Sequence, residues 1–270
     1  MARENLRYAC ETVRSLQTRR PDAFERLQAK TGLADKEPVE WETAARLMYL
    51  PYDATLGIHP QDDSFLDKET WDFANTPEAN YPLLLFYHPL NLYRHQVIKQ
   101  ADTLLAMFLL GDQFSAEAKK KNFDYYDPLT THDSSLSVCT QSIIASEIGY
   151  ADKAHEYFDF AVAMDLSDVG GNMKNGAHIA SIGGSWMSLV YGFGGMRDYG
   201  GEMSFRPRLP AGWTRLRFPL TVRGNFIHVD VRREDTTYTL HGGDGLTVTH
   251  EGERLQLAPR SSVVTGRNAN

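Results

Sequence analysis

The pattern of apolar and polar positions divides the chain into a long helical stretch and a shorter strand-rich stretch. Through residues 1–200, apolar side chains recur every three or four positions, which is typical of helices that bury one face. This spacing predicts helices over the ranges 3–18, 21–30, 40–50, 91–110, 115–126, 136–147 and 151–164. In the helix predicted over 91–110, Lys99 and Gln100 fall near the middle, and the apolar run 104–110 predicts burial on most sides. The lysines at 119–121 read as a solvated face.

After Gly200 and Gly201 the apolar period changes from helical to two. Short alternating segments are separated by turns rich in glycine, asparagine and aspartate, a pattern that predicts antiparallel strands with one buried face. The fold class predicted is therefore mainly α with a small C-terminal antiparallel β-sheet or sandwich. We expect two domains, 1–200 and 201–270. Pairs of helices joined by irregular loops suit an α/α toroid, in which the loops at one end line a pocket.

The stretch 52–89 has no helical period and is interrupted by prolines. An irregular connection of this length in a compact domain is usually functional. Gln61, Asp62 and Trp71 resemble a sugar pocket, because an amide and a carboxylate can bind hydroxyl groups and an aromatic ring can cover a pyranose face. A solvated acidic loop is the alternative reading of the same residues.

Composition and charge narrow the functional classes. The formal net charge of −7 disfavours nucleic acid and anionic membranes as partners. The two cysteines are too few for a disulfide framework and lie among apolar residues. No run reaches the roughly 18 apolar residues of a membrane span, and the first residues are too charged for a secretory signal. A cytoplasmic protein without a metal site is expected.

Polar groups crowd together at Thr130-Thr-His-Asp-Ser-Ser-Leu-Ser137, immediately before an apolar helical run. A helix N-terminus offers free N–H groups and the positive end of the helix dipole. The hydroxyl groups of Ser134 and Ser135 and the imidazole of His132 could complete an anion site, most plausibly for phosphate. The same residues could equally do no more than cap the helix.

Several further motifs carry a resemblance to a known family. They are Tyr87-His-Pro-Leu, Lys99-Gln-Ala-Asp102, Asn122-Phe-Asp-Tyr-Tyr126, the Thr130–Ser137 run, the stretch from Asp165-Leu to His178-Ile-Ala-Ser181, and Tyr191-Gly-Phe-Gly-Gly195. In this order and without large gaps, they resemble the C-terminal part of glycoside hydrolase family 65. That family contains inverting phosphorylases of maltose, kojibiose, nigerose and trehalose, and also some trehalose hydrolases.

The resemblance implies an (α/α)₆ barrel, of which this chain would supply a part, followed by a β-sandwich-like domain. It implies phosphate binding by Ser134, Ser135, His178 and Ser181, and binding of the transferred glucose by Lys99 and Gln100. Gln61, Asp62, Trp71 and His132 are weaker candidates for substrate contacts. No cofactor is expected, since inorganic phosphate is the co-substrate. The partners would be an α-linked glucose disaccharide and phosphate, and a second copy of the chain in a full-length homodimer. The implied activity is maltose phosphorylase-like.

The general acid of such an enzyme is not evident in the sequence. In the family it is a glutamate in an Asn- and Asp-rich motif, expected upstream of Met1, and no Asn-x-Asp-Glu-Tyr-like run occurs here. We therefore expect the chain to be a fragment or one of two complementary polypeptides, and to be inactive alone. Two alternatives stay open: a trehalase-type hydrolase of the same family, and a sugar-binding remnant without catalytic activity.

Overall fold

A computed structural model describes residues 1–131, 134–168 and 173–266, apart from the side chains of Ser135 and Asn175. Contacts between Cα atoms divide the chain into two compact units, Met1–Pro51 and Tyr52–Asn270. The predicted domain boundary at residue 200 stays a prediction. Among the described residues, no helix is both long and apolar enough to cross a membrane.

The first unit is a bundle of helices: α1 (Ala2–Arg19), α2 (Pro21–Thr31) and α3 (Glu37–Leu47). Prolines occupy the first turns of α2 and α3, where the missing N–H removes no helical hydrogen bond. Cys10 and Val13 of α1 and Ala45 of α3 are the buried apolar residues of this unit. The Cys10 thiol donates a hydrogen bond to the carbonyl of Pro38 at 3.1 Å.

The second unit begins with an irregular stretch in which regular elements are short. They are β1 (Glu69–Thr70), α4 (Leu83–Phe86), α5 (Pro89–Leu92) and β2 (His95–Gln96), and β1 and β2 pair in parallel. Longer helices follow: α6 (Asp102–Leu109), α7 (Ala116–Tyr126), α8 (Ser135–Glu147), α9 (Ala151–Leu166) and α10 (Ile179–Met187), which continues into a π-helical segment, Ser188–Phe193.

The helix predicted over 91–110 is wrong in its first half. The chain there is helical only to Leu92, then extended, and helical again from Asp102. Ile98 explains the break, because its N–H donates to the carbonyl of Leu129 and its carbonyl accepts from Thr131, both at 2.9 Å. These bonds form a parallel bridge with Thr130, so tertiary pairing overrides the helical period. Lys99 and Gln100 consequently lie in a connection and not within a helix.

Helix α8 is the centre of the helical packing. Every residue from 137 to 146 is buried, and α6, α7, α9 and α10 all pack against it. Its buried polar side chains reach neighbouring elements: Ser142 donates to the carbonyl of Ala154 and Ser146 to that of Gly192. Gly184 permits the close approach of α10, because a Cβ there would lie 2.3 Å from the sulfur of Cys139. These contacts fix the body of α8, whose N-terminal end carries the candidate anion site.

The C-terminal part forms two small sheets. The strands β4 (Arg215–Val222), β5 (Asn225–Arg232), β6 (Asp235–Gly242) and β9 (Ser261–Gly266) make an antiparallel sheet in the order β4-β5-β6-β9. A second sheet has the order β3-β7-β8 and contains β3 (Ser204–Phe205), β7 (Leu246–His250) and β8 (Glu253–Leu257). The parallel pairing of β3 with β7 was not predicted. The predicted fold class, helices first and antiparallel strands last, is confirmed.

One apolar core joins the helices of the second unit to both sheets. Ile143 and Ile144 of α8 belong to the same cluster as Val229 of β5, Tyr238 of β6 and Val248 of β7. A buried ion network lies in the same unit, where the ammonium of Lys119 contacts Glu147, which also accepts from Arg197 at 2.8 Å. The interpretation of residues 119–121 as wholly solvated is therefore wrong for Lys119, which is only 3% exposed.

Candidate functional site

A cavity of about 370 Å³ opens between the irregular stretch and the segment that precedes α6. It brings together four residues that the sequence suggested for substrate binding, although they lie far apart in the chain: Gln61, Asp62, Lys99 and Gln100. The remaining lining residues are Phe65, Lys68, Tyr93, His95, Val97, Ile98 and Asp102. Amide, carboxylate and ammonium groups beside aromatic rings form a lining suited to a polyhydroxylated ligand.

Gln61 and Asp62 are held by contacts from neighbouring elements. The carbonyl oxygen of the Gln61 side chain accepts from the Thr103 hydroxyl at 3.2 Å. Asp62 accepts from Lys68 at 3.1 Å and from the backbone N–H of Ser64 at 3.0 Å. Burial works to raise the pKa of Asp62, but the bonds from Lys68 and Ser64 outweigh it and hold that pKa below its usual value. The Asp62 carboxylate is thus an ionised hydrogen-bond acceptor in the lining of the cavity.

Lys99 and Gln100 connect the cavity to the start of α8. The backbone carbonyl of Lys99 accepts from the Ser137 hydroxyl at 3.1 Å, while its side chain is exposed. The amide of Gln100 donates to the hydroxyl oxygen of Ser134 at 2.9 Å. A residue suggested for glucose therefore touches a residue suggested for phosphate.

Ser134 is the N-cap of α8, and its hydroxyl oxygen accepts from the N–H of Leu136 at 3.3 Å. This is the capping role that the sequence offered as the alternative to anion binding. The two roles are compatible, because the hydroxyl hydrogen of Ser134 stays available while its oxygen accepts. The side chain of Ser135 and the whole of His132 lie outside the described residues.

His178 and Ser181 belong to the start of α10, which packs on α8 and α9. The His178 ring lies 2.6 Å from Asp165, measured from Nδ1 to the carboxylate oxygen. Ser181 is only 1% exposed, and its hydroxyl has no hydrogen-bond partner among the described residues. No described hydrogen bond joins these two residues to Ser134. The structure therefore links Ser134 to the cavity directly, and the phosphate roles of His178 and Ser181 stay predictions.

Trp71 lies beside the cavity and not in its lining. Its ring packs edge-to-face on His95 at 5.2 Å between centroids, and its N–H donates to Thr76 at 2.9 Å. His95 and Lys68 do line the cavity but were missed as site residues. His95 stands only four positions before Lys99, so proximity to that motif in sequence could have indicated it. Lys68 gave no signal, because its place depends on its contact with Asp62.

Among the described residues, no cluster of three or more histidine, cysteine or acidic side chains is arranged to hold a metal ion. A second cavity of about 360 Å³ lies at the other end of α8, next to Lys119, Glu147 and Arg197. Sequence reasoning did not indicate this cavity. Its polar groups are mostly engaged with one another, as the ion network described above shows.

Family models assign both parts of the chain. Residues 1–187 match the central catalytic domain of glycosyl hydrolase family 65, and residues 196–257 match the C-terminal domain of the same family. The chain therefore belongs to glycoside hydrolase family 65, as the motifs indicated. Its helical part corresponds to a portion of the central catalytic domain of that family, and its strands to the C-terminal domain.

Several curated relatives are named as disaccharide phosphorylases. The α,α-trehalose phosphorylase of Geobacillus stearothermophilus is 48% identical over 95% of this chain and 34% of its own length. A kojibiose phosphorylase of Halothermothrix orenii is 35% identical over 90% of this chain and 32% of its own length. The maltose phosphorylase of Bacillus subtilis is 35% identical over 82% of this chain and 29% of its own length.

A solved structure gives the same fold. A protein from the human microbiome, named provisionally as a kojibiose phosphorylase, superimposes with a TM-score of 0.87 at 29% identity. The match covers 99% of this chain and 39% of that protein. The chain thus spans about a third of the length of the curated relatives it matches.

Proposed function

We propose that this chain supplies the phosphate-binding and glucose-binding parts of an inverting α-glucoside phosphorylase. The reaction is attack of inorganic phosphate on an α-linked glucose disaccharide, which yields β-glucose 1-phosphate and a free sugar. The observation that carries the proposal is the hydrogen bond from Gln100 to Ser134, because it links the cavity to the N-terminus of α8. A nucleophile held at that helix end would lie beside the sugar whose bond it breaks.

Phosphate would be bound by Ser134, Ser135, His178 and Ser181, and the transferred glucose by Lys99 and Gln100. Gln61 and Asp62 line the same cavity and would contact hydroxyl groups of the sugar. Trp71 and His132 are the weaker candidates for substrate contacts. No cofactor takes part, because phosphate is itself the nucleophile.

Phosphorolysis requires less acid–base chemistry than hydrolysis. Inverting hydrolysis uses one carboxylic acid for the leaving oxygen and one carboxylate to activate water. Phosphate needs no activating base, so one acid and one anion site suffice. That acid has no counterpart in a recognisable motif among these 270 residues. We propose that the chain alone does not turn over a disaccharide, because a positioned acid contributes about 10²–10⁴-fold to such a reaction.

The choice of disaccharide is a separate proposal. The motifs suggested a maltose phosphorylase type, but the identity to a trehalose phosphorylase is higher than the identity to a maltose phosphorylase, 48% against 35%. Trehalose is therefore the first substrate to test, followed by kojibiose, nigerose and maltose. A homodimer of the whole enzyme stays a prediction.

The test is a chimera in which this chain replaces the matching third of the Geobacillus stearothermophilus trehalose phosphorylase. We expect phosphate-dependent release of β-glucose 1-phosphate from at least one of the four disaccharides, and no turnover by the chain alone. Release of glucose without phosphate would favour the trehalase-type hydrolase. A folded chimera that binds sugar but neither phosphorolyses nor hydrolyses any of them would favour the sugar-binding remnant.

A further inference from the structure

Asp165, which no site assignment includes, holds His178 by two hydrogen bonds. Asp165 lies in the last turn of α9, and His178 is the N-cap of α10. One carboxylate oxygen accepts from the backbone N–H of His178 at 2.8 Å, and the other lies 2.6 Å from Nδ1 of its ring. Both side chains are largely shielded, with 19% and 26% exposure. One carboxylate therefore fixes both the backbone and the ring of His178.

The position of Asp165 on its own helix does not explain the pair. A carboxylate in the last turn of a helix faces the negative end of the helix dipole, which disfavours it. The bonds from the ring and then from the backbone of His178 nevertheless hold the pKa of Asp165 below its ordinary value. The contact with His178 is thus the favourable interaction at this carboxylate.

We propose that Asp165 is a positioning residue for phosphate, which sets the tautomer and the orientation of the His178 ring. An ionised carboxylate only accepts hydrogen bonds, so a contact of 2.6 Å requires the proton of the ring to be on Nδ1. Nε2 is then the nitrogen left for the ligand. This inference rests on the proposed function, in which His178 binds phosphate.

The tautomer decides what Nε2 can do. When the ring is neutral with its proton on Nδ1, Nε2 accepts a hydrogen bond from a protonated phosphate oxygen. When the ring is an imidazolium, Nε2 donates to an unprotonated phosphate oxygen, and the Asp165 carboxylate stabilises the positive charge. Either state places one proton between Nε2 and phosphate. The opposite neutral tautomer would direct a bare Nδ1 at the carboxylate, where two acceptors would repel each other.

Asp165 could also have a purely structural role, and only a measurement on the His178 ring itself distinguishes that role from positioning of the ring. The backbone bond at 2.8 Å would tie α9 to the start of α10 whatever the state of the ring. Asp165→Asn keeps an acceptor for that N–H but presents an amide that can donate to Nδ1. Asp165→Glu keeps the charge and tests rescue. Asp159→Asn is the matched control, because Asp159 lies on the same helix and faces another histidine, His155, at 3.7 Å.

The experiment uses the purified 270-residue chain labelled with ¹⁵N in its histidine rings. Long-range ¹H–¹⁵N spectra report which ring nitrogen carries the proton, and loss of one signal set in His178→Gln assigns His178. Above pH 8 we expect protonated Nδ1 in the wild-type chain, appearance of the Nε2-protonated form in Asp165→Asn, and the wild-type pattern in Asp159→Asn. Titration with inorganic phosphate should show affinity reduced about tenfold or more in Asp165→Asn and largely restored in Asp165→Glu.

The possible outcomes distinguish the positioning role of Asp165 from the phosphate-binding role of His178. A proton on Nε2 in the wild-type chain, which needs no variant to fold, would overturn the inference. An unchanged tautomer and unchanged phosphate affinity in Asp165→Asn would also overturn it while leaving the proposed function intact. Protonated Nδ1 without saturable phosphate binding would instead overturn the phosphate assignment of His178.

Discussion

The backbone of the four-stranded sheet and that of the irregular stretch lining the cavity are stabilised in different ways. In β4 and β5, buried and exposed residues alternate strictly, as Phe218 and Val229 between exposed or half-buried neighbours illustrate. In residues 52–101 no regular element exceeds four residues. There the backbone is fixed by side chains: Asp53 accepts from the N–H of Leu56 at 2.8 Å, and the amide of Gln96 donates to the carbonyl of Lys68 at 2.7 Å.

This difference explains where the site can form. A strand directs alternate side chains to opposite faces, so half of its residues belong to the core. An irregular backbone held by individual hydrogen bonds can direct several polar side chains toward one point. Gln61, Asp62, Lys99 and Gln100 meet in one cavity for this reason. We expect substitutions in the sheet to change stability, and substitutions at the cavity and the start of α8 to change binding.

The largest effect should come from the ion network of Lys119, whose side chain is buried although its sequence context predicts a solvated one. Glu147→Gln would leave an ammonium that is 3% exposed without its carboxylate. Breaking a buried pair in this way costs about 3–5 kcal/mol of unfolding free energy. Urea unfolding measures it, with Glu117→Gln as control, because Glu117 pairs with Lys121 on the exposed surface, where solvent screening leaves an ion pair little effect on stability. Equal effects of both substitutions would contradict the network's importance.

The same network predicts a pH dependence. Burial alone would raise the pKa of Glu147, but Arg197 and Lys119 outweigh it and hold the pKa below its ordinary value of 4.5. A carboxyl group whose pKa is lower in the folded state stabilises the fold above pH 4.5. That contribution is lost as the pH falls from there through the folded-state pKa. The stability difference between wild type and Glu147→Gln should therefore shrink on acidification, and a constant difference from pH 7 to pH 3 would contradict this assignment.

The next effect tests the sheet. Ile227 is fully buried on the central strand β5, and Ile227→Ala should lower the free energy of unfolding by about 2–5 kcal/mol. Thr221→Ala on the exposed face of β4 is the control, with an expected change within about 0.5 kcal/mol. Phosphate affinity should stay unchanged in both variants. A folded Ile227→Ala chain that lost phosphate binding would show that the two regions are not energetically separable.

The candidate anion site should respond mainly in phosphate binding, although Ser134→Ala also removes the N-cap of α8 and should cost about 1 kcal/mol of stability. If Ser134 and His178 bind phosphate as proposed, Ser134→Ala and His178→Ala should each weaken phosphate binding by about 1–3 kcal/mol and sugar binding by less. Ser115→Ala is the matched control, because Ser115 caps α7 in the same way, accepting from the N–H of Ala118 at 3.1 Å. It should cost about 1 kcal/mol of stability and leave phosphate binding unchanged. If sugar affinity fell while phosphate affinity did not, the two subsites would be reversed.

The smallest effect concerns the bond that joins the two subsites. A double-mutant cycle of Gln100→Ala and Ser134→Ala should show a coupling of about 0.5–1.5 kcal/mol in unfolding free energy, the value of a neutral hydrogen bond. The cycle of Gln100→Ala with Ser115→Ala should give none. Coupling of the same size in both cycles would show that the effect does not come from this hydrogen bond.

The sheet and most helices could be predicted because each residue's place follows from a local period. The start of α8 could be placed for a similar reason, since Ser134 precedes an apolar run and caps the helix as expected. The extended conformation of Ile98 could not be predicted, because it depends on Leu129 and Thr131, some thirty residues away. The contact of Gln100 with Ser134 was equally hidden, because nothing in either segment specifies its partner.

The site was located mainly through family motifs, and its internal contacts came from the structure. A family motif suggested Lys99 and Gln100 as site residues. On the helical period alone, the two would be interpreted as part of a solvent-exposed helix face. The pairing of Asp165 with His178 left no trace in the sequence pattern, although the two lie within one stretch of the resemblance. The local spacing of apolar residues thus predicted the helices and strands. Contacts between segments distant in sequence determine which polar groups meet at the site.

The central claim is that phosphate and glucose occupy adjacent subsites that meet where Gln100 donates to Ser134. Calorimetric titration of the purified chain with inorganic phosphate, in the absence and in the presence of saturating glucose, tests it most directly. We predict saturable phosphate binding that glucose does not displace. Ser134→Ala should weaken phosphate binding more than Lys99→Ala does, and Lys99→Ala should weaken glucose binding more than Ser134→Ala does. Competition between the two ligands for a single site, or phosphate binding insensitive to Ser134→Ala, would contradict it.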